Sequence, residues 1–141
     1  MRRLFGSVSA LVMMISSSGA AAQTGCDKAC LEQIMDQYRA AYLAHDAAAA
    51  PFADKVRFTE NNVEMAFPDA SWDTVTEEIG TALTLSDPQT GQAAAFMAIM
   101  QSEIPGYLAV RLKIENRQIT EVEHMLSTRR NLSSPPTPFA E

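Results

Sequence analysis

The sequence predicts an α+β domain, with an amphipathic helix near its start and a run of strands at its end. We expect strands at residues 92–101, 106–115 and 118–127. The first is apolar at almost every position, which favours a strand covered on both faces. The second alternates, so that Leu108 and Leu112 share one face while Arg111 points to the other. These strands predict an antiparallel meander that the upstream helix and strands cover or extend.

Residues 27–44 are predicted to form the helix, with Asp27 as its N-cap. Apolar side chains recur at the spacing of one helix face: Leu31, Ile34, Met35, Tyr38, Ala41 and Tyr42. Core packing is the commoner role for buried tyrosines, with their hydroxyls reaching a polar partner. The helix therefore brings two phenol groups to the inner side of the sheet.

The last hairpin decides which way His124 points. A two-residue loop would place Glu121 opposite Leu112 and mix carboxylates into an apolar face. A three-residue loop at residues 115–117, with a bulge, keeps the apolar faces together. It requires Arg117 to adopt the left-handed conformation. We predict the three-residue loop, which directs His124 to the inner face.

Two further strands and a short helix are expected between the N-terminal helix and the meander. Residues 55–61 and 63–67 alternate as strands, and the first of them carries Phe58 inward and Glu60 to the inner rim. Thr74 and Glu77 have the spacing of a capping box, which predicts one or two helical turns ending at Gly80. Its buried face would present Trp72, Val75 and Ile79. Residues 82–86 are expected to form a strand.

The two ends of the chain predict export and a flexible tail. Residues 1–22 resemble a secretory signal peptide, with Arg2 and Arg3 before an apolar run too short to span a membrane. We expect cleavage after Ala22, a periplasmic or secreted location, and no membrane association after cleavage. Residues 23–127 would form the folded domain. Residues 128–141 are polar and rich in Pro and Ser, which predicts disorder.

The charge of the chain argues against nucleic acid as a partner. Cleavage would leave 119 residues, 141 minus 22, which is the length of one domain. The formal net charge of −6 would become −8, because nine basic residues would then face 17 acidic ones. An acidic chain without a basic run is a poor binder of nucleic acids or anionic membranes.

Cys26 and Cys30 are the only cysteines. At this spacing near a helix start their Cα atoms would lie roughly 6 Å apart, within the range of a disulfide. An exported protein meets an oxidising environment, which favours the bond. Two free thiols are the alternative. A zinc site would need two more ligands, so we expect neither a metal nor a cofactor.

Several stretches of the sequence resemble uncharacterised exported proteins of the nuclear transport factor 2-like superfamily, in its SnoaL-like branch. They are Cys26-Asp-Lys-Ala-Cys-Leu31, Val56-Arg-Phe-Thr-Glu-Asn61, Asp87-Pro-Gln-Thr-Gly91, Leu108-Ala-Val-Arg-Leu-Lys-Ile-Glu115 and Ile119-Thr-Glu-Val-Glu123. The resemblance covers about residues 26–127. It implies a curved, mixed but mostly antiparallel sheet wrapped around the N-terminal helix, as in cystatin-like α+β barrels. It also implies an apolar pocket and frequent homodimers.

The candidate catalytic residues are Glu60 and His124, because a histidine beside a carboxylate in an apolar cavity can act as a general base. The residues expected to line the pocket are Tyr38, Tyr42, Phe58, Trp72, Val110 and Val122. A histidine that is hydrogen-bonded once in a core is the commoner outcome. We therefore expect a protein that binds a small apolar molecule. The alternative is a SnoaL-like lyase or isomerase.

An apolar row on the strand at residues 92–101 also predicts a homodimer. Phe96 and Met97 point to opposite faces of this strand, and only one face can pack on the helix. An exposed apolar row in the middle of a sheet is what obligate interfaces use. The alternative is that the tail folds back over this face.

Overall fold

One helix and a six-stranded mixed sheet make up the described part of the chain, residues 25–128 of a computed structural model. The helix α1 is Lys28–Ala44. The strands are β1 Phe52–Glu60, β2 Val63–Met65, β3 Val75–Asp87, β4 Gln92–Gln101, β5 Ile104–Glu115 and β6 Gln118–Thr128. Short 3₁₀ turns lie at Ala47–Ala49 and Ala70–Asp73. The predicted signal peptide lies outside the described residues, as does the predicted tail beyond Thr128.

The sheet is curved and unclosed, in the order β2-β1-β6-β5-β4-β3. All neighbouring strands are antiparallel except β1 and β6, which run parallel. The predicted fold class, a helix covered by a mostly antiparallel mixed sheet, is confirmed. The parallel pair places the chain's first long strand beside its last, so residues far apart in sequence meet where these two strands adjoin.

The helix begins and packs as its sequence predicts. Asp27 accepts a hydrogen bond from the Cys30 backbone N–H at 2.9 Å, and a disulfide joins Cys26 to Cys30 with Cα atoms 5.3 Å apart. The predicted apolar stripe is buried, and Tyr38 and Tyr42 have no solvent exposure. Arg39 on the flank of α1 forms an ion pair with Glu78 of β3. The helix is thereby fastened to the inner face of the sheet.

The predicted short helix after Thr74 is wrong, because these residues form the start of β3. Val75 pairs with Gln101, and the pairing with β4 continues to Asp87 across an irregularity around Gly80. Gly80 has φ +70°, a conformation that glycine adopts without steric cost. A capping box is worth little beside a long ladder of hydrogen bonds to a neighbouring strand, and the β-branched residues in this segment favour a strand.

The last hairpin has the predicted inner and outer faces, but its loop length and the position of its bulge differ from the prediction. Its loop has two residues, Asn116 and Arg117, both with positive φ, as in a type I′ turn. The extra residue is Thr120, which is skipped where the pairing passes from Ile114 to Lys113. The predicted three-residue loop is therefore wrong, although the left-handed Arg117 and the inward direction of His124 are both observed.

The bulge keeps the apolar partners together on the inner face. Leu112 stands opposite Val122 and has no solvent exposure. On the outer face Arg111 bonds to Glu123 at 2.7 Å and to Glu121 at 3.0 Å. The outer face is polar here, and the inner face forms one core with α1.

This division of faces predicts the cost of two neighbouring substitutions on β5. Leu112→Ala should lower the free energy of unfolding by about 2–5 kcal/mol, because it leaves a cavity in the core. Lys113→Ala is the matched control on the opposite face and should cost roughly 0.5 kcal/mol or less. Urea unfolding of both variants measures the difference, and equal midpoints would show that the faces are assigned wrongly.

Candidate functional site

Polar side chains from four separate elements meet at His124, which lies on the inner face of β6 without solvent exposure. The Tyr38 hydroxyl of α1 lies 2.6 Å from its Nε2. On the other side of the ring, Nδ1 lies 3.1 Å from Ser71 Oγ and 3.4 Å from Glu60 Oε2. We refer to Tyr38, Glu60, Ser71 and His124 as the His124 cluster.

The parallel pairing of β1 with β6 brings the carboxylate to the imidazole. Glu60 and His124 are direct partners in this ladder, so their side chains emerge side by side. Glu60 also accepts a hydrogen bond from the Ser71 backbone N–H at 3.3 Å. One carboxylate thus touches both the histidine and the 3₁₀ turn Ala70–Asp73.

The hydrogen-bond roles in the cluster follow from which groups carry protons. Burial raises the pKa of Tyr38 well above its usual range, so the phenol keeps its proton. A carboxylate can only accept. We therefore assign the Tyr38 O–H as donor to Nε2 and the Nδ1–H as donor toward Ser71 and Glu60. This assignment makes His124 a neutral ring with a defined tautomer.

The two ionisable members of the cluster are shifted in a way that fits this assignment. Burial lowers the pKa of His124, because it penalises the charged ring, and Glu60 offsets only part of this effect. Burial alone would raise the pKa of Glu60, but hydrogen bonds from His124 and Ser71 outweigh it and lower the pKa. At neutral pH the cluster holds an ionised carboxylate beside a neutral imidazole.

Aromatic rings enclose the imidazole edge to face. The ring centroids of Phe58 and Tyr42 lie 5.2 Å and 5.4 Å from that of His124, at interplanar angles of 89° and 80°. Trp72 lies 5.5 Å from Tyr38 and 5.3 Å from Tyr42. These rings form the aromatic wall of the His124 cluster.

The six predicted pocket-lining residues all lie together in this core, each at most 2% exposed. They are Tyr38, Tyr42, Phe58, Trp72, Val110 and Val122. In this structure they belong to one buried cluster, in which the Trp72 ring packs against Tyr38 and Tyr42. The structure thus brings the six predicted pocket-lining residues together and packs them into a closed core.

Two buried polar atoms of the wall have no hydrogen-bond partner among the described residues. They are the Tyr42 hydroxyl and Trp72 Nε1. Ser71 lies near the Tyr42 hydroxyl and Trp72 lies near the Tyr38 hydroxyl. Each neighbour offsets part of the rise in the tyrosine's pKa that burial causes, but neither contact has complete hydrogen-bond geometry. Unsatisfied buried donors are rare in folded proteins and call for a structural or functional reason.

Ser71 is the member of the cluster that the sequence did not reveal. A lone serine between Ala70 and Trp72 has no spacing that marks it as functional. His45 is exposed, yet its Nδ1 contacts the Trp72 carbonyl oxygen. The contact of Ser71 with His124 and that of His45 with Trp72 both depend on the position of the 3₁₀ turn, which local sequence does not specify.

The described residues also offer little for other kinds of site. Among them no group of three or more His, Cys, Asp or Glu side chains could hold a metal ion. No described helix is both long and apolar enough to cross a membrane.

Depressions in the described surface include one of about 380 Å³ on the outer face, beside Phe96, Tyr107 and Met125.

Comparison with known proteins supports the fold and assigns no family. No known protein family matches the sequence, and no curated protein matches it. Among solved structures, the chain is similar to AclR, a proposed hydroxylase from Streptomyces galilaeus. The likeness has a TM-score of 0.57 at 10% identity and covers 78% of this chain and 91% of AclR. At this identity it shows the fold alone, which is consistent with the SnoaL-like fold.

Burial of a neutral His124 predicts that the protein loses stability in mild acid. The unfolded histidine takes up a proton near pH 6.5, whereas the folded one does so only at lower pH. The unfolded state therefore binds more protons in this window, and the free energy of unfolding falls by at most about 1.4 kcal/mol per pH unit. Glu60 adds a second loss below its unfolded pKa of 4.5.

Urea unfolding at pH 7.5, 6.5 and 5.5 measures this loss. We expect His124→Gln to be less stable at pH 7.5 but to show a smaller further loss at pH 5.5. The same replacement at His45, the other histidine of the chain, should leave the wild-type loss in place. An unchanged pH dependence in His124→Gln would rule out the buried neutral ring as its cause.

Proposed function

We propose that this chain is an exported small-molecule-binding protein, whose ligand lies against the inner face of the sheet at the His124 cluster. The observation that carries the proposal is a polar cluster inside an aromatic wall, with two hydrogen-bonding atoms left over. Ligand sites typically combine an apolar lining with a few placed polar groups. The likeness to AclR supports a small-molecule role in general and favours no particular reaction.

The side chains in and around the cluster indicate the chemical class of the ligand. Tyr42, Phe58 and Trp72 offer flat apolar surfaces, so the body of the ligand should be apolar and preferably planar. The Tyr42 hydroxyl and the Tyr38–His124 pair offer a donor and a polarisable acceptor. A small, mostly apolar molecule with one polar group at its edge would satisfy both sets.

Export is the second part of the proposal. It is supported by the signal-like pattern of residues 1–22 and by the Cys26–Cys30 disulfide, a bond that persists in oxidising compartments. The ligand would then be met outside the cytoplasm.

A second candidate function is acid–base catalysis by a lyase or isomerase. The specific observation in its favour is the Glu60–His124 contact of 3.4 Å, in which the ring is fully buried and the carboxylate is mostly buried. Glu60 would accept the hydrogen bond from Nδ1–H. Nε2 would then be the basic atom once a substrate replaces the Tyr38 hydroxyl as its hydrogen-bond partner. The substrate would need an acidic C–H next to a carbonyl.

Calorimetric titration with 2-naphthol tests binding at this site. We expect wild-type protein to bind it and Tyr38→Phe to bind it about 2- to 10-fold more weakly, because one hydrogen bond is lost. Tyr107→Phe removes a hydroxyl from the outer face and should bind like wild type. Equal affinities for all three proteins would place any binding away from the His124 cluster.

Wild type and His124→Gln separate binding from catalysis when 2-tetralone replaces 2-naphthol in deuterated buffer. A catalyst would speed deuterium uptake beside the carbonyl, and His124→Gln would abolish the acceleration. A binding protein would leave the rate of uptake at that of the buffer.

We also propose that the protein is a homodimer through the outer face of the sheet. Leu83, Phe96, Ala109 and Met125 are cross-strand neighbours that form one row over β3, β4, β5 and β6. Leu83, Phe96 and Met125 are 54%, 41% and 46% exposed. The Arg111–Glu123 ion pair borders this row and could supply the polar rim of an interface.

Light scattering on the protein tests the dimer. We expect a dimer mass at micromolar concentration and a monomer mass for Phe96→Glu, because a carboxylate in the apolar row would be buried without a partner. Val63→Glu changes an exposed apolar residue of β2, outside the row, and should remain dimeric. A wild-type monomer that stays monomeric without residues 129–141 would refute the dimer. Self-association only after that deletion would favour a covering tail.

A further inference from the structure

Trp72 lies in the connection from β2 to β3, and its ring packs against the tyrosines beside His124. Its ring centroid lies 5.1 Å from that of Phe67, 5.3 Å from Tyr42 and 5.5 Å from Tyr38, and it is 1% exposed. It is also the only tryptophan in the sequence. One buried side chain of the aromatic wall thus comes from a connection and not from the sheet or the helix.

The connection that carries Trp72, residues 66–74, lies mostly at the surface. Ala66, Pro68, Asp69 and Asp73 are exposed, and only Ser71 and Trp72 are buried. Phe67 and Ala70 are half-buried and also pack against the core. The segment can move without breaking the sheet, since none of its residues belongs to a strand.

The hydrogen bonds of this segment divide between bonds within it and bonds to the rest of the protein. The Trp72 N–H donates to the Asp69 carbonyl at 3.2 Å, and the Thr74 N–H donates to the Ser71 carbonyl at 3.2 Å. Contacts to the rest of the protein pass through Ser71, through the carbonyl of Trp72 and through Thr74 near β4. Opening would loosen the turn within the segment and replace these hydrogen bonds by bonds to water.

Two features make the closed position of the segment less favourable than its burial implies. Ala70 has φ +58°, a left-handed conformation that residues with a Cβ atom rarely adopt. Trp72 Nε1 is buried without a hydrogen-bond partner, and water would supply one outside. Both features would be relieved by opening.

Displacement of Trp72 would open a binding site with a defined chemistry, which we call the seat: the space that the indole ring occupies in the closed protein. Its walls would be Tyr38, Tyr42 and Phe52, and its floor would hold the Tyr42 hydroxyl, which has no partner in the closed state. The seat has the size and shape of the indole ring that leaves it. Its natural occupant would therefore be planar and aromatic.

We propose that residues 66–74 form a plug, and that a planar aromatic ligand with a polar edge binds by displacing Trp72 and taking its seat. This proposal rests on the proposed binding function, because it names how that site opens and which class of ligand fits. The free protein would be closed, and ligand binding would hold the plug open. Binding would then be weaker than the seat alone allows, by the fraction of molecules that are open.

Hydrogen exchange of the ligand-free protein tests the plug without any ligand. The single indole N–H gives one signal in a ¹⁵N-labelled sample. We expect it and the Trp72 and Thr74 amides to exchange together, at least about 100-fold faster than the amides of β5, because local opening needs no global unfolding. Exchange of the indole at the same slow rate as β5 would overturn the plug.

Free indole is the probe for the seat. Saturating wild-type protein with unlabelled indole should move the Trp72 indole signal to the position and exchange rate of a solvent-exposed ring. Trp72→Ala should bind indole at least 10-fold more tightly by calorimetry, since nothing has to be displaced. If Trp72→Ala does not fold, Trp72→Phe should show a smaller gain in the same direction. Phe96→Ala, on the outer face, should match wild type.

The outcomes separate this proposal from the one on which it rests. Indole binding with the Trp72 signal still buried would overturn the plug and keep the binding function. Failure of wild type and of both Trp72 variants to bind indole or 2-naphthol would overturn the binding function itself, and the seat with it. Equal affinity of wild type and Trp72→Ala would show that the ligand does not compete with Trp72.

Discussion

The hydrogen bonds around His124 are the constraint on which much of this structure depends. An imidazole and a carboxylate placed in an apolar core lose hydration that only well-placed partners can replace. Tyr38 supplies one partner and Ser71 another, while Glu60 completes the set. Because these residues come from α1, β1, β6 and a connecting turn, the cluster is satisfied only when all four elements are in place.

The parallel pairing of β1 with β6 is what makes this cluster possible. A purely antiparallel meander would keep Glu60 with its sequence neighbours, far from the end of the chain. The ladder instead sets Glu60 beside His124, and the bulge at Thr120 keeps β6 in the register that points His124 inward. A shift of one residue would turn the ring to the outer face and leave the Tyr38 hydroxyl without its partner.

The sheet therefore separates two kinds of surface. Its inner face carries aromatic rings, neutral hydroxyls and one ionised carboxylate, which together suit recognition of a small molecule. Its outer face carries an exposed apolar row at Phe96 beside the ion pairs of Arg111, which suits contact with another protein surface. Because the two faces are separate, an assembly through the outer one would leave the connection at residues 66–74 free to move.

The sequence by itself determined the parts of the structure that rest on local periodicity. The apolar stripe of α1, the alternation of β5 and the spacing of Cys26 and Cys30 each specify a face or a bond within a few residues. The inward direction of His124 follows from the same argument, since a one-residue shift of β6 would have turned its carboxylates to the apolar face. The local patterns also placed Glu60 and the aromatic residues on the correct side.

Tertiary structure alone decided the rest, because competing local signals are close in energy and a neighbouring strand can reverse them. The capping box at Thr74 gave way to pairing with β4, and the extra residue of the hairpin moved from the loop to Thr120. Ser71 entered the cluster only because the turn folds over the sheet. Closure of the aromatic wall by Trp72 depends on packing between segments distant in sequence, which no local pattern encodes.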